Sequence, residues 1–178
     1  MANTFLQRLV GAAALDAAIY EEVEADERAT MQAGATVLLS SAAAGIGALG
    51  FGGQALANVA FVSTVALLAW GAWALVTFEI GVRILPQPQT RSNVGELMRT
   101  IGFATAPGCL RVFGVLPGVT IPVFALTAVW MLAAMVVAVR QALDYESTAR
   151  ALLVCGLGWV LATTIAVVLG LAFGPMLS

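Results

Sequence analysis

Residues 99–118 read RTIGFATAPGCLRVFGVLPG. The stretch is apolar enough to enter a membrane, yet it holds Pro107 with Gly108 behind it, a charge at Arg111 and a second proline at Pro117. Pro107 has no amide hydrogen and its ring clashes with the preceding turn, so a kink is expected between Phe103 and Pro107. Hydrocarbon tolerates such a break only where neighbouring helices satisfy the freed carbonyl. Whether this segment crosses a membrane decides the fold, because it sets the side on which everything after it lies.

The remainder of the chain has the same character. Of 178 residues, 61% are hydrophobic and 10% charged, with no histidine; a soluble domain is roughly 25% charged. Residues 29–78 contain no Asp, Glu, Lys or Arg, and neither do 112–139 or 151–178. One helical crossing takes about 20 apolar residues, so the first run holds two crossings and a turn, GALGFGGQALAN. The expectation is an all-α integral membrane protein. A five-transmembrane-helix bundle over 29–178, with crossings near 30–51, 58–82, 96–115, 120–143 and 150–174, follows a short N-terminal amphipathic cytosolic helix within 1–28. The chain start, with Asp16 breaking its apolar run, reads as no secretory signal.

Arginine placement gives the orientation. With the N-terminus inside and five crossings, the cytosolic segments hold or adjoin Arg8, Arg28, Arg83, Arg91, Arg99, Arg140 and Arg150, and the other side has only Arg111. That asymmetry predicts a cytosolic N-terminus and an external C-terminus. Had 96–115 failed to cross, Arg140 and Arg150 would fall outside. All eight basic residues are arginine, which favours a bacterial source and hence the cytoplasmic (inner) membrane.

Polar residues are few. The prelude ends in EEVEADE, residues 21–27, a solvated helix end, a surface for a basic partner or a divalent-cation site, the last without the Gly-containing loop of a calcium hand. Glu79 and Arg83 are four apart, acid first, as suits a helical ion pair. With Arg99, Arg140 and Asp144 they form a candidate polar cluster at the cytosolic face, either structural or a site for an anionic head group or a partner loop. Arg111, about a turn from the outer end, is expected either to snorkel to the interface as an anchor or to face a ligand or lipid phosphate. Small residues crowd SSAAAGIGALGFGG, and Gly170 with Gly174 makes a GxxxG pair. Such spacing lets helix backbones approach closely. Gly45, Gly47, Gly170 and Gly174 therefore mark a candidate helix-packing or partner face. Cys109 and Cys155 fall in crossings and suggest neither a disulfide framework nor a metal set.

Catalysis is poorly supported: there is no histidine to act as base or metal ligand, no lysine, and no phosphate-binding loop. No catalytic residue, metal, cofactor or nucleic-acid partner is expected. A transporter commonly shows paired broken helices or a central acid; here one crossing is broken.

The region from about 94 to 155 resembles the Yip family, the Ypt/Rab-interacting membrane proteins with a five-helix domain, in its bacterial branch. The residues that carry the resemblance are Arg99, Gly102, Phe103, Ala104, Ala106, Pro107 and Pro122, then VWMLAAMVVAVRQALDY with Ala151 beyond. LDAAIYEEVEADERAT also looks like the segment preceding the membrane domain in bacterial members. The resemblance implies a non-enzymatic membrane protein with a cytosolic N-terminus that binds other proteins or organises membrane. The expected role is a scaffold or accessory subunit whose partners are membrane lipids and another membrane protein or a second copy of itself. The alternative is a small transporter or lipid-binding protein with a cytosolic-side polar pocket.

Overall fold

A computed structural model describes the backbone of residues 3–51 and 59–173, and their side chains apart from residues 51, 59–63, 65, 162, 163 and 165–173. Among the described residues every regular element is helical. The order is α1 (Phe5–Ala13), α2 (Ala17–Ala25), α3 (Ala29–Gly47), α4 (Val59–Phe78), α5 (Val94–Phe103), α6 (Thr120–Ala142) and α7 (Thr148–Phe173). A short 3-10 turn, Ala48–Phe51, extends α3, and a π-helical turn, Glu79–Ile84, ends α4. Three stretches are long and apolar enough to cross a membrane: Ala29–Gly50, Ala66–Ile84 and Thr120–Ala142. Their outward faces are apolar as well. Leu68 and Leu75 on α4, and Ile121, Leu126, Val129 and Leu132 on α6, are all more than half exposed. A continuous apolar exterior of this kind is suited to lipid rather than water.

The proline-bearing stretch breaks where expected. The α-helix ends at Phe103, a turn follows at Ala104 and Thr105, and Ala106–Val115 continues as a 3-10 helix. The Thr105 hydroxyl donates to the Gly102 carbonyl (2.7 Å) and eases the exit. This broken segment occupies the centre of the bundle and packs against α3, α6, α4, α2 and α1. Leu97, Arg99 to Ala104 and Ala106 to Gly108 are all buried.

α3 lies alongside the broken segment, and the two run parallel. A Cβ on Gly102 would sit 2.7 Å from the Ala33 Cβ. One on Gly108 would strike the Ser40 hydroxyl, one on Gly47 the Arg111 carbonyl, and one on Gly50 the Gly114 carbonyl. The contacts climb both segments together: 33 with 102, 40 with 108, 47 with 111, 50 with 114. Gly47 is thus occupied inside the bundle. α6 runs the other way, with Phe124 against Gly114 and Met131 against Gly108. Such close approach is how helices gain packing energy when lipid removes any hydrophobic drive between them.

The N-terminal residues differ from the single helix expected. They form two helices, joined at Leu15, which adopts a left-handed conformation (φ 63°). Asp16 N–H donates to the Gly11 carbonyl (3.0 Å) and Leu15 N–H to the Ala12 carbonyl (3.1 Å), closing a Schellman turn. Asp16 then caps α2 by accepting from Ala18 N–H (3.0 Å). The hairpin is docked rather than free: Ala12, Ile19, Tyr20 and Val23 share one core with Ala29, Ala33, Phe103, Ala134 and Ala138. The Trp130 indole donates to the Ala13 carbonyl (2.7 Å), and Tyr20 hydroxyl to the Ala12 carbonyl (3.1 Å). Inside the hairpin Arg8, its side chain 3% exposed, pairs with Glu22 (2.8 Å) and Asp26 (2.7 Å). Removing one partner from a buried ion pair costs about 3–5 kcal/mol; the part-exposed carboxylates place this one at the lower end.

The parallel seam gives a prediction with opposite signs at two glycines. In an unobstructed helix, Gly→Ala gains up to about 1 kcal/mol from propensity. Gly71 has open space around it, so Gly71→Ala should hold or raise the thermal midpoint in detergent. Gly47→Ala should lower it, by an overpacking cost of about 1–3 kcal/mol. Equal shifts of the same sign would show that α3 does not meet the 3-10 segment closely.

Candidate functional site

The end of the bundle that carries the C-termini of α2 and α6 and the start of α5 is polar. Each of these ends is built by a local device. α6 stops in a Schellman turn, with Tyr145 N–H on the Arg140 carbonyl and Asp144 N–H on the Gln141 carbonyl, both 2.9 Å. Asp144 occupies the left-handed position (φ 52°) that usually falls to glycine. α5 starts in a capping box: Asn93 Oδ1 accepts from Glu96 N–H (3.0 Å), and Glu96 accepts from Asn93 N–H (2.9 Å). α2 ends against Arg99, whose Nε donates to the carbonyls of Val23 and Glu24 (both 3.0 Å), with Nη2 also on Glu24. Arg99 is thereby committed to the orphan carbonyls of α2, a cation at a helix C-terminus.

These three ends border an open pocket of about 490 Å³ lined by Glu21, Glu24, Glu96, Arg140, Gln141, Asp144, Tyr145 and Glu146. Five carboxylates face one guanidinium. Arg140 directs its Nε to the Tyr145 carbonyl (3.2 Å), Gln141 donates to Glu21 (2.8 Å), and Asp144 accepts from Arg91 N–H (3.4 Å). Burial, with Glu96 and Asp144 nearby, pushes the Glu24 carboxyl up to about 7. Away from the pocket, Glu22 and Asp26 behave oppositely: burial works against Glu22, but Arg8 and Asn3 hold it below the usual carboxylate range, and Arg8 does the same for Asp26.

Of the five residues expected in a polar cluster, Arg140 and Asp144 line the cavity and Arg99 stands behind it as a helix cap. Glu79 and Arg83 do not line it. They pair with each other at 3.0 Å, i to i+4 across the π turn, with side chains 49% and 69% exposed. Glu21, Glu24, Glu96 and Glu146 complete the cavity: Glu21 and Glu24 belong to the acidic run 21–27, one reading of which is a surface for a basic partner, the Asn93–Glu96 spacing offers a local signal for Glu96, and Glu146 has none. Their excess of negative charge suits a cationic group better than an anionic head group, one of the alternatives for this cluster. Among the described residues no three of His, Cys, Asp and Glu converge closely enough to hold a metal ion. A guanidinium or ammonium group matches the charge, and the volume leaves room for the chain that carries it.

The remaining expected residues lie elsewhere. Pro107 is buried at the break, and Arg111 is half-buried on the 3-10 segment, its Nε donating to the Thr127 hydroxyl (3.2 Å) and its guanidinium over the Phe124 ring (5.4 Å). Gly45 is half-buried on α3. Gly170 falls in α7 with surroundings outside the described side chains, and Gly174 lies outside the described residues. Both cysteines are free, Cys155 buried and Cys109 half-buried. No family model, curated protein or solved structure matches the chain.

Glu24 makes stability depend on pH in a stated direction. Its folded carboxyl holds a proton to about pH 7, while in the unfolded chain it ionises near its ordinary value of about 4.3. The stability it contributes is present at acid pH and lost as pH rises through 7. The thermal midpoint should therefore fall between about pH 5 and 8, and Glu24→Gln should flatten that slope. An unchanged slope in the variant would place Glu24 in open solvent.

Proposed function

We propose that the chain is a non-enzymatic integral membrane protein of the Yip type, a scaffold or accessory subunit that binds another membrane protein. The observation that carries this reading is the acidic cavity shared by α2, α5 and α6. It is large enough for a basic side chain, carries more carboxylates than its own arginine can offset, and contains no convergent nucleophile and base. A basic loop or juxtamembrane segment of the partner supplies the complementary charge, which fixes orientation and register more than raw affinity.

The accompanying topology is five crossings in a bacterial cytoplasmic membrane, N-terminus cytosolic and C-terminus outside. Two features support it. α5 and the 3-10 segment run the length of α3 in the same direction, as first and third crossings must, and α6 returns antiparallel. Their summed rise is about 35 Å if coaxial, against about 30 Å of hydrocarbon. The cavity then faces the cytosol, where basic loops are concentrated.

Two measurements test this. Glu21→Gln, Glu24→Gln and Glu146→Gln together should leave the protein folded in mild detergent and abolish the co-purifying membrane protein that wild type retains. An identical set of co-purifying proteins would remove the cavity from the binding surface. In cells, single cysteines at Asn93→Cys and Ser147→Cys, with Cys109 and Cys155 replaced by Ala, should label from the cytosol, and Ser178→Cys from outside. Labelling of 93 and 178 from the same side would contradict five crossings.

A further inference from the structure

A second cavity lies within the apolar part of the bundle, independent of the acidic one. It has a volume of about 400 Å³ and lies between α3, α4, the broken segment and α6. Its walls are mainly apolar or small: Val37, Ala44, Trp70, Trp73, Met131 and Met135 among them. On α3 it extends from Val37 to Ala44, and on α4 from Ala66 to Trp73, about 10 Å in each case at the helical rise. Arg111 is the one charged residue in its lining.

Three features distinguish that arginine from a structural anchor. Among the described residues no carboxylate pairs with it; the three ion pairs present involve Arg8 and Arg83. Its hydrogen bond to Thr127 uses Nε, and no hydrogen bond from the two terminal nitrogens is found among the described residues. The guanidinium is also held against α6, beside Thr127 and over the Phe124 ring. Thr127 is seven residues into α6, about 10 Å from its start. A charge held at that depth without a counter-charge is costly and marks a functional position. Trp73, on the same cavity wall, adds a buried indole N–H with no acceptor among the described residues.

We propose that this groove binds one anionic phospholipid. The phosphate engages the free edge of the Arg111 guanidinium, which matches phosphate oxygens in a bidentate manner. An acyl chain follows the groove inward past Ser40, Ser41 and Trp70 toward Met131 and Met135, whose flexible thioethers adapt to an irregular chain. The occupant must be amphiphilic, because a single cationic group closes one end of an otherwise apolar channel. The site is separate from the acidic cavity and does not depend on the scaffold reading.

The test is native mass spectrometry of the full chain in detergent with added palmitoyl-oleoyl phosphatidylglycerol, palmitoyl-oleoyl phosphatidylcholine or soluble glycerol phosphate. Wild type should retain one phosphatidylglycerol, at least tenfold more than phosphatidylcholine, and no glycerol phosphate. Arg111→Gln should abolish the preference between the two lipids, and Arg111→Lys should keep part of it. Ala69→Leu, which narrows the groove and leaves Arg111 in place, should reduce retention of phosphatidylglycerol and so covers the case in which Arg111→Gln fails to fold. Equal retention by wild type and Arg111→Gln would overturn the proposal. So would wild type that carries no lipid, binds glycerol phosphate equally well, or fills the groove by dimerising.

Discussion

Where α3 meets the 94–115 segment, the two approach so closely that a Cβ on Gly47, Gly50, Gly102 or Gly108 would fall within 2.7 Å of an atom of the facing segment, at Gly108 the Ser40 hydroxyl. Lipid-facing exteriors give no hydrophobic incentive for one helix to leave lipid and join another, so contact must come from backbone proximity and dispersion. The broken segment could not hold itself straight. Its proline ends the α-helix and its second half winds as 3-10, whose hydrogen-bond geometry is poorer. A matching groove of small residues on α3 supplies the rigidity that the segment lacks. Both cavities border this segment: Glu96 of α5 lines the acidic one, and Ile101, Thr105 and Arg111 line the apolar one. One end of the seam then faces α2 and α6 at the acidic cavity, and the other opens the apolar groove beneath Arg111.

The N-terminal hairpin is the second consequence. α2 ends with unsatisfied carbonyls, and Arg99, presented from the buried face of α5, meets them at Val23 and Glu24. Trp130 holds the Ala13 carbonyl at the far end of the hairpin. α1 is polarised in an unusual sense, with Arg8 enclosed and Leu6 and Val10 exposed at 66% and 61%. The charge is neutralised from within by Glu22 and Asp26, which leaves the outer face apolar. The acidic run 21–27 therefore divides its work: two carboxylates balance Arg8, and Glu21 and Glu24 turn to the cavity.

Much of the fold was legible from covalent geometry and charge. The uncharged runs fix where long helices lie: α6 at Thr120–Ala142 against an expected 120–143, and α7 at Thr148–Phe173 against 150–174. The break before Pro107 was legible because a ring and a missing N–H act wherever they occur. The division of the N-terminal region was not legible. Leu15 carries no turn signal, and its left-handed conformation is imposed by the packing of both flanking helices. The partners of Arg8 lie 14 and 18 residues away, and those of Arg99 lie 75 and 76 away, so spacing along the chain cannot reveal them. For the same reason Arg140 and Asp144 could be recognised as neighbours, but not the carboxylates that join them from α2 and α5. Glu79 and Arg83 were legible as a pair and not as a location.

The parallel seam between α3 and the broken segment is tested most directly by a disulfide. In a chain with Cys109 and Cys155 replaced by Ala, Ser40→Cys and Gly108→Cys bring two thiols together, since the Ser40 Cβ lies 3.2 Å from where a Cβ on residue 108 would be. Native disulfides have Cβ atoms about 3.5–4.5 Å apart, within reach of a small relaxation. Mild oxidation of the protein in its membrane, followed by denaturation and a bulky maleimide, should leave both thiols protected until reductant is added. Two fully reactive thiols after oxidation, with the single-cysteine variants equally reactive, would contradict the seam and the fold built on it.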